Sequence, residues 1–312
     1  MPTCPVLPME IWAHIVKPIG RPKNPSTYRL HLKRTATLYR LCLASHTLKQ
    51  LAEPLLYSRA FITPETLPSF CRTITIPHMN SAGAEIFRPS ARGRLVTCLA
   101  LSQFGPESRA INYRIGEVLE ALRFVLRRLY LDASLHDVPK HDLLSLERIE
   151  EFCFMAVPSL FDSRESSLPA WRTLKRLAVM KIRLDQKLLE SLGANLEVCV
   201  VAWSRGLDGP TLSSLARGDW TQRPQEFVYV GRPSETDIND LREEMKRVEE
   251  QPRGEGCCGV LRLAEVSIHN QVGVGFMQEE WIWFMRSVVD GSIWDVGKDG
   301  KVLEPPTSNT VF

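Results

Sequence analysis

Two histidines and two aspartates stand close together as His136-Asp137 and His141-Asp142. Imidazole nitrogen and carboxylate oxygen are zinc-ligand types, and four of them would complete a tetrahedral set. The stretch is a polar connection between the apolar blocks 126–131 and 149–154, so we expect a solvated loop and no metal. Cys257-Cys258, between Gly256 and Gly259, is the adjacent thiol pair. Exposure raises thiol reactivity, but adjacent cysteines seldom bridge each other, and no redox role is expected. Gly273-Val274-Gly275 lacks the third glycine and the strand–helix setting of a dinucleotide loop, and Gly297-Lys298 stands alone. No G-x-S-x-G elbow occurs. The residues therefore predict no catalytic centre, cofactor or metal, and the chain is read as a non-enzyme. Basic side chains recur instead as Arg123, Arg127, Arg128, Lys175 and Arg176. On a shared sheet face, Arg128, Lys175 and Arg176 would recognise an acidic or phosphorylated target through charge-assisted hydrogen bonds. Ordinary solvent-facing charge is the alternative.

The composition is that of an ordinary globular chain. The chain has 312 residues, 44% hydrophobic, 24% charged and 8% aromatic, enough for about two domains of roughly 150 residues. These proportions exclude a mainly disordered, collagen-like or coiled-coil chain. No apolar run is long enough for a transmembrane helix, and the N-terminus does not read as a signal peptide. The net charge of +3 is too small to suggest nucleic-acid binding. The charge is uneven. Residues 1–60 carry nine Lys/Arg against two acids, a net +7, which leaves −4 for the rest. The cysteines at 4, 42, 71, 98, 153, 199, 257 and 258 form no C-x-x-C pair. Most lie in apolar runs, which suits small buried hydrophobes in a reduced compartment. An intracellular protein, cytoplasmic or nuclear, is expected, with no membrane partner.

The first sixty residues predict three helices. Leu7-Pro8-Met9-Glu10-Ile11 opens the first, with proline and glutamate suited to a helix N-terminus. Ile11 and Ile15 share one face, and Pro18 and Gly20 end the helix. Residues 21–36 read as a basic loop. Leu38 and Leu41, then Leu48, Leu51 and Leu55, fit helical spacing, and Ser45 or Thr47 would cap a helix after a tight break. About fifty residues bury little on their own, so an apolar patch here is a candidate partner surface.

These blocks carry a family resemblance. Leu7-Pro8-x-Glu10-Ile11-x-x-x-Ile15, Leu38-x-x-Leu41-x-Leu43-Ala44-Ser45 and Leu51-Ala52-x-Pro54-Leu55-Leu56-Tyr57 together resemble an F-box of the kind common in fungi. The resemblance implies docking on a Skp-type adaptor and, through it, on a cullin-based ubiquitin ligase. By position, Leu7, Pro8, Ile11, Ile15, Leu38, Leu41 and Leu43 would contact the adaptor. The first connection is longer than the family pattern by about a dozen residues. Ala44-Ser45 stands at the usual Val-Cys and Leu48 at the usual tryptophan. The alternative is that these helices only cap the domain behind them.

Beyond them an apolar-x-x-apolar-x-apolar pattern recurs. Its copies are Cys71–Ile76, Val96–Leu101, Leu126–Leu131, Ile149–Phe154, Leu174–Val179 and Leu196–Val201, with weaker ones at Pro224–Tyr229 and Leu263–Ile268. Each predicts a strand with Leu129 and Leu131 on one face and Arg128 and Tyr130 on the other. Helix-like stretches at 185–192 and 211–216 lie between copies. The spacing resembles an irregular leucine-rich-repeat array, which implies an α/β solenoid with a parallel curved sheet and outer helices. The asparagine of that family is Ser134, Ile182 or Ser204 here. An ordinary α/β domain is the alternative.

At the C-terminal side, Ile238, Leu241, Met245 and Val248 mark one helical face. Trp281, Trp283 and Phe284 mark a second helix, expected to cover the open end of the array. The organisation is thus 1–60 helical unit, 61–296 repeat domain with capping helices, and 297–312 mobile tail. It predicts a ligase adaptor that holds an unidentified protein substrate, or alternatively a free-standing interaction scaffold.

Overall fold

The computed structural model describes residues 9–20, 28–81, 83, 85–101, 109–131, 142–143, 145–155, 173–181, 195–203, 226–231, 236–249, 260–266, 280, 283–285, 287–288, 291–296 and 298. Three helices come first: α1 (Met9–Gly20), α2 (Tyr28–Ala44) and α3 (His46–Ser58). The Ser45 hydroxyl accepts from the Leu48 amide at 3.1 Å and caps α3, as its position before the apolar run predicts. The connection before α2 differs from expectation. Residues 28–36, read as loop because of their basic character, belong to α2. Tyr28-Arg29-Leu30-His31-Leu32 contains no helix breaker, and charge alone does not break a helix.

Strand β1 (Arg59–Ile62) starts directly after α3, so the expected boundary at 60/61 falls inside it. It pairs in parallel with β4 (Cys98–Leu101). Between them lie α4 (Leu67–Ile74) and an antiparallel hairpin, β2 (Thr75–Met79) and β3 (Glu85–Pro89). The first expected strand, Cys71–Ile76, is therefore the end of α4 running into β2. Leu67, Cys71 and Ile74 fall at steps of 4 and 3, a helical stripe, and all three are buried.

The remaining strands are β5 (Arg128–Leu131), β6 (Glu151–Met155), β7 (Arg176–Met180), β8 (Val198–Ala202), β9 (Glu226–Gly231) and β10 (Val260–Glu265). With β1 and β4 they form one parallel sheet in the order β1-β4-β5-β6-β7-β8-β9-β10. The protein is thus α/β, with each strand beside the next one added to the sheet. The register aligns Leu99, Leu129, Phe152, Leu177, Cys199, Phe227 and Leu261 in one row. Leu261, not the expected Val266, is the aligned residue of β10.

Both faces of a parallel sheet need cover, which is why β8 reads Val-Cys-Val-Val-Ala without alternation. The first face packs against α4, α5 (Arg109–Leu122) and α6 (Thr236–Glu249). Ile115, Val118, Leu119 and Leu122 of α5 are the buried stripe, with Ile238 and Leu241 from α6. Each fully buried leucine contributes about 1.5–3 kcal/mol. The second face carries the smaller Ala100, Cys153, Ala178, Val200 and Val228. Phe284, Val288, Ile293 and Trp294 pack on this face beside Met180, Ala202 and Val230. The aromatic C-terminal segment therefore lies over a sheet face, where small side chains leave room for it, and not over the open end.

Candidate interaction surfaces

The helical unit has its own small core. Val16, Leu38, Leu48 and Ala52 are buried, with Trp12, Leu41, Cys42, Leu51, Leu55 and Leu56 packed around them. Arg34 is buried beside this core and donates to the Leu55 carbonyl at 3.2 Å. Burial lowers its pKa, and the neighbouring Arg59 adds to that. Leu38 is 1% exposed while Leu43 is 70% exposed. Leu38 thus holds the unit together and is no surface contact; Leu41, half-buried on the same core, has mainly the same duty. Both were expected on an adaptor-facing surface; in the isolated chain they pack on the unit's own core. Position on a helix, not hydrophobicity, separates them.

The expected contacts that remain outside are Ile11, Ile15 and Leu43, joined by Met9 and Tyr39. Ile11 and Ile15 are four apart on α1, one step of about 100° from the inward pair Trp12 and Val16. Tyr39 and Leu43 repeat this on α2 beside Leu38 and Cys42. Among the described residues these five outnumber the exposed large apolar side chains elsewhere, which are Ile76, Met79 and Phe124. Scattered apolar residues need no explanation; five on two neighbouring helices are a local concentration among the described residues. Sequence reasoning missed Met9 and Tyr39. Leu7 and Pro8 lie outside the described residues.

A second feature crosses the sheet. Register aligns Arg59, Cys98, Arg128, Glu151 and Arg176 in one row on the second face. Glu151 is buried, and its carboxylate gathers the row. It accepts from the Tyr130 hydroxyl at 3.1 Å and from Arg176 Nη1 at 3.1 Å, and it pairs with Arg128 Nε at 3.5 Å. The Arg176 guanidinium also lies 5.7 Å from the centre of the Trp294 ring. Burial pushes the Tyr130 phenol well above its ordinary range and the Cys98 thiol up to about 11. Both therefore stay protonated at neutral pH. Two guanidiniums, Arg128 and Arg176, face the one Glu151 carboxylate, and Arg59 adds a further positive charge at the β1 end of the row.

Lys175 does not join it. It stands one residue out of phase with Arg176, so its side chain leaves on the other side. It pairs with Glu197 at 3.6 Å. Arg127 with Glu150 (3.5 Å) and Arg123 with Glu147 (2.7 Å) form similar pairs between the connections that lead into β5 and β6. The structure thus brings Arg128 and Arg176 together, removes Lys175 from their face, and adds Glu151 and Arg59. Glu151 was legible only through register, since no motif marks a buried glutamate.

Of the remaining candidates, His136, Asp137, His141, Cys257, Cys258 and the 297–312 tail (Lys298 excepted) lie outside the described residues, as do the stretches 185–192 and 211–216. Asp142 packs against Gly116 of α5. Among the described residues, no three His, Cys, Asp or Glu are placed to hold a metal, and no helix is long and apolar enough to cross a membrane. No protein-family model matches the chain, and no curated protein matches its sequence.

Proposed function

We propose that the chain is the substrate-recognition subunit of a Skp–cullin–F-box ubiquitin ligase, an F-box-like helical unit on an irregular leucine-rich-repeat-like sheet. The observation that carries this reading is the apolar surface of Ile11, Ile15, Tyr39 and Leu43 on a unit whose own core is already filled. Burying four such side chains supplies several kcal/mol at about 1.5–3 kcal/mol each, before the cost of association. The +7 charge of residues 1–60 complements an acidic adaptor surface. The target would bind at the Arg59–Arg128–Arg176 row. Its class is an acidic or phosphorylated segment, because guanidiniums pair with such groups bidentately. The function is proximity without acid–base chemistry. Holding the target on the same body as the ligase core raises its effective concentration at the ubiquitin carrier.

The test is co-expression of the full chain with a Skp-type adaptor, followed by pull-down of wild type and of the Ile11→Gln/Ile15→Gln variant. Glutamine keeps helix propensity and removes only the apolar surface. Retention of the adaptor by wild type and its loss from the folded variant support the reading. The free-standing scaffold is favoured by one observation, the direct run of α3 into β1, which also suits a plain cap for the sheet edge. A folded wild-type chain that captures no adaptor would leave that reading standing.

A further inference from the structure

A pocket of about 400 Å³ opens on the helix-covered side of the sheet, between α4, α5 and the β2–β3 hairpin. Cys71, Arg72, Thr75, Pro77, Phe87, Arg114 and Glu117 line it. The volume falls within the range of small-molecule sites, roughly 300–1,000 Å³. It lies on the opposite face from the arginine row and far along the chain from the exposed apolar helices, so nothing proposed above uses it.

Its floor is satisfied internally. The Cys71 thiol donates to Glu117 Oε2 at 3.1 Å, and the Thr75 hydroxyl donates to the Cys71 carbonyl at 2.8 Å. Burial and the neighbouring Glu117 push the thiol pKa up, so the floor presents a neutral sulfur. The hairpin wall is fixed, because the Phe87 amide donates to Glu120 Oε2 of α5 at 3.3 Å. What remains unspent is positive. Arg72 gives one long hydrogen bond of 3.5 Å to Ser69, and Arg114 is exposed at the rim with no described hydrogen-bond or ion-pair partner. Two guanidiniums stand against one carboxylate that already accepts a hydrogen bond from the thiol. Phe87 and Pro77 form a flat apolar wall beside them.

We propose that this pocket binds a small organic anion, with its carboxylate or phosphate head on Arg114 and Arg72 and a flat apolar body against Phe87 and Pro77. Guanidinium forks match both head groups bidentately, and the aromatic wall selects for a ring. Head and body are both required, because each alone leaves half the lining unused.

Isothermal titration of the full chain with phenyl phosphate, benzoate, inorganic phosphate and benzyl alcohol tests it, with Arg114→Gln and a control outside the pocket lining, Arg94→Gln. The expected result is saturable binding of at least one aryl anion, at least tenfold tighter than inorganic phosphate or benzyl alcohol. Arg114→Gln should weaken it at least tenfold, and Arg94→Gln should leave it unchanged. Arg114 is exposed, so its loss does not threaten the fold. No binding of either aryl anion overturns the proposal. So does equal binding by wild type and Arg114→Gln, or inorganic phosphate binding as tightly as phenyl phosphate. None of these outcomes depends on adaptor binding.

Discussion

Glu53 of α3 and Arg92, ahead of the short 3-10 turn Gly93–Leu95, form an ion pair of 2.7 Å that ties the helical unit to the sheet. The same guanidinium lies 5.7 Å from the Tyr57 ring centre, and the Ser58 carbonyl accepts from the Thr97 hydroxyl at 3.1 Å. No residue separates α3 from β1. The two surfaces proposed for adaptor and target thus sit on one continuous piece of backbone.

Next to Arg92, the turn at Gly93 packs closely against the end of α4. A Cβ on Gly93 would press into the Ile74 carbonyl oxygen, a backbone atom that cannot rotate away. Gly93→Ala should cost about 1–3 kcal/mol. Glu53→Gln breaks a partly exposed pair and should cost under about 1 kcal/mol. Urea unfolding of the two variants measures both.

Leucines five positions apart on α2 should behave oppositely. Leu38→Ala opens a cavity in the small core and should cost about 2–5 kcal/mol. Leu43→Ala removes a solvent-facing side chain and should change stability by less than about 0.5 kcal/mol. Thermal unfolding of the pair would show this. Equal costs would contradict the burial assigned to them.

Glu151 anchors the charged row. Glu151→Gln keeps an acceptor for Tyr130 but leaves Arg128 and Arg176 without their counter-charge, and should cost about 1–3 kcal/mol. Both guanidiniums are half-exposed, which places the effect toward the lower end. Glu150→Gln, in the exposed pair with Arg127, should cost less than about 1 kcal/mol. Chemical denaturation midpoints separate the two.

Buried thiols make the fold sensitive to alkali. Burial raises the thiol pKa of Cys98 to about 11 and pushes those of Cys153 and Cys199 up as well. In the unfolded chain these groups ionise near pH 9, while the folded protein keeps their protons. Stability should be level below that range and fall as pH rises through it. The slope is at most about 1.4 kcal/mol per pH unit for each thiol. Unfolding free energies between pH 7 and 10.5 check this, with Cys98→Ala expected to flatten the decline.

Most of the sheet was legible because it obeys a local rule. A strand buried on both faces must be apolar throughout, and the L-x-x-L-x-L copies from Val96 to Tyr229 report that directly. The ends of the sheet were not legible. At β1 the aligned residue is Ala60, too small to stand out, and at β10 Leu263 takes the last apolar place of the pattern and not the first, as its spacing suggested. The hairpin was hidden because Cys71 and Ile74 fit a helix while Ile74 and Ile76 fit a strand, and so short a run does not separate the two. The arginine row needed register, since Arg59, Arg128 and Arg176 lie far apart in sequence and meet only through pairing. In the helical unit, sequence located the apolar face but did not separate Leu38, inside, from Tyr39 and Leu43, outside.

The measurement that most directly tests adaptor docking is the affinity of a purified Skp-type adaptor for the full chain by titration calorimetry. Wild type is compared with Ile15→Gln/Leu43→Gln and with Ile76→Gln/Met79→Gln, which alters equally exposed apolar side chains on the hairpin. Saturable binding by wild type and the hairpin variant, with at least a tenfold loss in the helix variant, is expected. No binding by folded wild type, or equal binding by all three, would contradict adaptor docking through α1 and α2.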